Sequence, residues 1–136
     1  MKIILSAIVL IVCFQTKTFS QELSYDGYYV ATPDQGNMSI FKYYLRFYSD
    51  GTVISVTTAG KPENLLPWFK KENKVPSRGK YTLTDSTINF SMQSEQGEVI
   101  FNGVLRSTSL VLKVKSNINK YEAKELYEFM RIENIK

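Results

Sequence analysis

From Phe41 to Tyr48 the side chains alternate, and the run ends in Ser49-Asp50-Gly51. Phe41, Tyr43, Leu45 and Phe47 share one face; Lys42, Tyr44, Arg46 and Tyr48 share the other. A period of two with one apolar face is the mark of an antiparallel strand that buries that face. Gly51 takes positive φ at little cost, Asp50 suits a turn, and Thr52 to Thr58 is rich in β-branched residues. Two such runs about a short Asp-Gly turn predict a β-hairpin. A hairpin exposes two edges, so the rest of the chain must supply neighbours for it.

The same text recurs. Asp26 to Ala31 reads as an earlier strand, ended by the turn formers Pro33-Asp34-Gln35-Gly36-Asn37. Gly79 to Leu83, Ser86 to Gln93, Glu98 to Arg106 and Ser109 to Lys115 follow as strands separated by tight turns. Their expected inward residues are Ile88, Phe90, Met92, Val99, Phe101, Leu105, Leu110, Leu112 and Val114. Between 59 and 76 the rhythm breaks. Pro62 suits a first helical turn, Pro67 limits its length, and Leu65, Leu66, Trp68 and Phe69 make it apolar. A short helix or structured loop is expected around 61–72. The stretch from 120 to 132 fits helix and strand alike. A strand is preferred, because a last strand paired with the first closes the sheet. About eight strands joined mostly by tight turns predict an all-β, antiparallel, up-and-down barrel.

Residues 1–20 read as a signal peptide rather than part of the fold. Lys2 is a positive start, Ile3 to Phe14 is an apolar run too short to span a bilayer, and Thr18-Phe19-Ser20 suits cleavage before Gln21. The expected location is therefore secreted or periplasmic, with one domain over 21–136. Cys13 is the one cysteine, so that domain is held without disulfides. The formal charge of +4 includes Lys2 and Lys17, and what remains is too mild to point to nucleic acid.

At this point the chain resembles the lipocalin-like, calycin-type small barrels of exported bacterial proteins. The resemblance rests on Gly27-x-Tyr29, on the hairpin Leu45 to Val56, and on Tyr127-Glu128-Phe129-x-Arg131. Lipocalins carry Gly-x-Trp on the first strand and an Arg of the last strand packed across that Trp. Here Tyr29 stands in the place of the Trp and Arg131 in the place of the Arg. The resemblance implies a barrel across most of 21–136 and no particular activity.

The chain has no histidine, which removes His-based nucleophile relays and His metal ligands. No Gly-rich phosphate loop is present. Asp50, Asp85, Glu95 and Glu98 sit at turns, where structural use is expected. No catalytic residue, metal site or cofactor is expected, and the reading is non-enzymatic. The aromatic load is high: nine Tyr, eight Phe and one Trp, all but Phe14 and Phe19 from Gln21 onward. These side chains either line a cavity for one small ligand or pack as ordinary core. Under the first reading the candidate ligand-binding residues are Tyr43, Phe47, Tyr81, Phe90 and Phe101, with Trp68 and Phe69 as a lid across a barrel end. The ligand is then a small apolar or amphipathic molecule. Trp68 and Phe69 beside Lys70 and Lys71 also suit contact with a membrane surface. The alternative function is an interaction or inhibitor module of the cell envelope that works through 61–80.

Overall fold

The computed structural model describes residues 21–32 and 40–135. The expected signal peptide and the turn-forming 33–37 lie outside the described residues. Eight strands follow in order: β1 (Gly27–Ala31), β2 (Lys42–Phe47), β3 (Thr52–Thr58), β4 (Ser77–Thr84), β5 (Thr87–Ser94), β6 (Gly97–Arg106), β7 (Ser109–Ser116) and β8 (Glu122–Arg131). Each pairs antiparallel with its sequence neighbour, and β8 returns to β1, so the sheet is a closed up-and-down barrel. The ambiguous C-terminal stretch is thus a strand. Closure decides it, because pairing Tyr29 with Phe129 and Tyr28 with Met130 leaves the sheet without an open edge.

The turns are tight because their residues adopt the backbone angles that short hairpins need. At the first hairpin Gly51 has φ of 92°, and the Thr52 N–H donates to Asp50 Oδ1 at 2.9 Å. Asp85 and Ser107 take φ of 55° and 50° at the tips of the β4–β5 and β6–β7 hairpins, as primed two-residue turns require. At the β1–β8 seam Gly27 has no room for a side chain, since a Cβ there would lie 2.0 Å from the Met130 carbonyl oxygen.

Alternation sends the expected residues inward. Leu45, Phe47, Ile88, Phe90, Met92, Phe101, Leu105, Leu110, Leu112 and Val114 are all buried in one inner core with Tyr29 and Tyr127. Phe41 departs from expectation: it precedes β2 and is half exposed. A second cluster lies on the outer wall. Tyr28, Tyr44 and Ile54 point away from the barrel and are covered by Leu65 and Phe69. The 61–72 segment therefore packs on the outside of β1–β3 and does not cross a barrel end. Its helical part is one 3₁₀ turn, Pro62–Asn64, with Pro at its start and the extended Lys61 before it. Phe69 stacks at 4.5 Å on Tyr28, the Tyr48 hydroxyl donates to the Phe69 carbonyl, and Lys71 pairs with Asp50 at 2.9 Å. Burying Phe69 and Leu65 in this way is worth roughly 1.5–3 kcal/mol each.

An up-and-down barrel has two unlike ends. The β2–β3, β4–β5 and β6–β7 turns gather at the end where the chain enters β1. Here 21–26 runs across the opening: Leu23 joins the inner core, the Ser24 N–H donates to the Tyr29 hydroxyl at 3.0 Å, and Gln21 Oε1 accepts from the Ser107 N–H at 3.3 Å. That end is plugged. The opposite end carries the β5–β6 and β7–β8 turns and the β3–β4 connection.

Candidate functional site

The inner core does not fill the barrel evenly. Below its middle a run of aromatic rings occupies the axis. Phe129 packs on Tyr29 at 5.2 Å, Tyr29 meets Phe47 edge-on at 5.5 Å, and Phe47 meets Tyr81 and Phe90 at 5.2 and 5.6 Å. Phe90 then stacks on Phe101 at 4.6 Å, with 10° between planes. Above Phe101 the packing among the described residues stops, and they line a cavity of about 240 Å³ toward the opposite end of the barrel. For scale, an apolar cavity of about 150 Å³ admits benzene, so this one suits a ring with a short arm.

The lining divides by chemistry. The floor is Met92, Val99, Phe101 and Val114, which are inward residues of β5, β6 and β7. Ser55, Thr57 and Ser77 bring hydroxyls from β3 and β4, and Ser116 brings one from the end of β7 beside Val99. The remaining wall is Tyr43, Tyr121, Glu125 and Tyr127, with Asn119 near the rim. Glu125 points inward because β8 alternates: Ala123, Glu125, Tyr127 and Phe129 face in while Lys124, Leu126 and Glu128 face out.

Glu125 is only 9% exposed. Burying a carboxylate is costly unless donors meet it, and two do. The Tyr121 hydroxyl donates to Oε1 and the Tyr127 hydroxyl to Oε2, each at 3.1 Å. The phenols answer to the same surroundings. Burial, then the Glu125 charge, holds the Tyr127 pKa well above its ordinary value of 10.0. Tyr121 is pushed up to about 12 by burial and by its bond to Glu125, and Tyr43 is raised by burial and then by the Glu125 charge. All three stay protonated near neutrality, so each remains a hydrogen-bond donor. Among the described residues no Lys or Arg pairs with Glu125, which is the one formal charge in the lining.

The residues singled out from the sequence fall into three groups. Tyr43 and Phe101 line the cavity. Phe47, Tyr81 and Phe90 belong to the ring stack beneath it, with the Tyr81 hydroxyl turned to the Tyr48 carbonyl at 2.5 Å. Phe69 lies buried in the outer cluster and Trp68, 45% exposed, stands beside it on that wall. Neither lines the cavity, so the expected lid is an outer latch. Sequence reasoning passed over Glu125, Tyr121 and the lining hydroxyls. A signal for Glu125 was present: carrying the Phe129–Tyr127 alternation two residues back lands on it.

No group of three or more His, Cys, Asp or Glu side chains suited to a metal occurs among the described residues. No helix among them is long and apolar enough to cross a membrane. No protein-family model matches the chain, and no curated protein or solved structure does either. The resemblance to lipocalins implies Arg131 packed across the aromatic residue of the first strand, and the structure places its side chain elsewhere. Arg131 is exposed and pairs with Asp26 at 2.9 Å, and Phe129 packs on Tyr29 instead.

Proposed function

We propose that this chain is an exported, non-enzymatic, lipocalin-like protein that holds a small amphipathic molecule in the open half of its barrel. The observation that carries the reading is the change of packing above Phe101, where a ring-filled axis gives way to a cavity of about 240 Å³ with an apolar floor and a polar upper wall. Concave, mostly apolar sites with a few placed polar groups are the usual form of small-molecule pockets. The reading as an exported protein rests on 1–20 alone.

Trp68 is a poor reporter of such binding, since it sits on the outer wall. Amide NMR spectra of the isotope-labelled protein are better placed. Titration with a panel of short alkyl and aryl amphiphiles is expected to move resonances of Val99, Phe101, Val114 and Tyr127 saturably. Val114→Trp, which fills the cavity, is expected to abolish the response. A panel that leaves these resonances in place at millimolar ligand sinks the proposal.

A second reading, an interaction module of the cell envelope working through 61–80, is favoured by one observation: Trp68 and Val75 are 45% and 77% exposed beside Lys70, Lys71 and Lys74. Crosslinking in envelope extracts tests it. A partner whose capture is unchanged by Trp68→Ala and Val75→Ser counts against that surface.

A further inference from the structure

We infer that the ligand of this cavity carries a cationic amine, recognised by the Glu125 carboxylate. The inference rests on the reading of the cavity as a ligand site, and it names the chemistry that the site selects.

Three features converge on it. Glu125 is nine-tenths buried and is the sole formal charge that the described residues bring to the lining. Two phenols stabilise it, yet no cation among the described residues neutralises it. A carboxylate has about four lone-pair positions, and Tyr121 and Tyr127 take one on each oxygen, so acceptor capacity toward the cavity remains. At 9% exposure that negative charge is screened less than one on the surface and attracts a cation more strongly.

The surroundings suit an ammonium in particular. A primary ammonium has three donors and no acceptor. Glu125 takes one, and the hydroxyl oxygens of Tyr121 and Tyr127 beside it keep lone pairs for another. Tyr43, Tyr121 and Tyr127 flank the carboxylate, and tyrosine ring faces attract cations. The floor of Met92, Val99, Phe101 and Val114 takes the apolar body. Size, floor and charge together describe an aryl- or alkylamine of about ten heavy atoms, on the scale set by benzene in about 150 Å³. An anionic head would instead face a buried like charge.

Three probes of matched shape test this by calorimetry and amide NMR: 2-phenylethylamine, 2-phenylethanol and 3-phenylpropionate. The amine is expected to bind about tenfold or more tightly than the alcohol, as a charge-assisted bond exceeds a neutral one. The propionate is expected to bind weakest. Glu125→Gln keeps the shape and is expected to lower amine affinity by about tenfold or more, while alcohol affinity stays within about threefold. Equal binding of amine and alcohol overturns the inference, as does an amine affinity indifferent to Glu125→Gln. If Glu125→Gln fails to fold, the comparison of the three probes on the native protein decides alone. Binding by the neutral panel without preference for the amine removes the inference and leaves the cavity reading standing. Silence from every probe and from the panel removes both.

Discussion

Single residues set the tolerances of this barrel. Gly27 is the clearest. Its Cα faces the β8 backbone so closely that a methyl group would meet the Met130 carbonyl oxygen at 2.0 Å and the Arg131 Cα at 2.8 Å. Backbone atoms cannot step aside as a flexible side chain can. Gly27→Ala is therefore expected to cost about 1–3 kcal/mol, read as a lower urea midpoint with an unchanged slope. An unchanged midpoint would mean that the seam is looser than its geometry. Gly27 was visible in the sequence as part of Gly27-x-Tyr29, but the reason for it was not. It lies in a neighbour about a hundred residues away, which no local pattern displays.

At the scale of elements, strands were legible and the long connection was not. Each strand announces itself by its own alternation, because the pleat sends successive side chains to opposite faces whatever the neighbours are. Segment 61–72 has no such internal rule. Its apolar residues need a surface, and alternation in β2 offers one on either side of the wall. Tyr44, expected on a solvated face, is buried in one cluster with Leu65 and Phe69 of the segment. Phe69 is the anchor, stacked on Tyr28 and tied through Tyr48. Phe69→Ala is expected to cost about 3 kcal/mol and to expose 61–76 to protease while the circular dichroism of the barrel persists. Cleavage no faster than in the native protein would show that the latch is held elsewhere. The Lys71–Asp50 pair adds little, since both groups are about half exposed.

For the whole molecule, the tyrosines couple stability to alkaline pH. Tyr28, Tyr29, Tyr43, Tyr44, Tyr48, Tyr81, Tyr121 and Tyr127 all have raised pKa values in the fold, with burial the first cause in each. The unfolded chain gives up these protons near pH 10, whereas the folded chain keeps them; Tyr28 and Tyr121 are pushed up to about 12. Above pH 10 the unfolded state thus binds fewer protons, and stability falls as pH rises. Below pH 10 this contribution is fully present. Denaturation midpoints should hold from neutrality to about pH 10 and then drop toward pH 12, with phenolate absorbance rising in step with unfolding. A midpoint flat to pH 12 would refute the coupling.

Alternation, turn residues and the need to cover a sheet edge were enough to determine from sequence that the domain is an all-β antiparallel barrel, and which faces of most strands turn inward. These are local properties, and repeating them eight times leaves few ways to close. Only the tertiary structure decided whether the inward aromatic side chains fill a space or enclose one. They do both: the rings from Phe129 to Phe101 fill the plugged half, and the open half keeps a cavity around Glu125. Volume along a barrel axis depends on how rings from opposite strands meet, and those strands are distant in sequence. A single inward carboxylate looks like any other polar residue until the wall across from it is known.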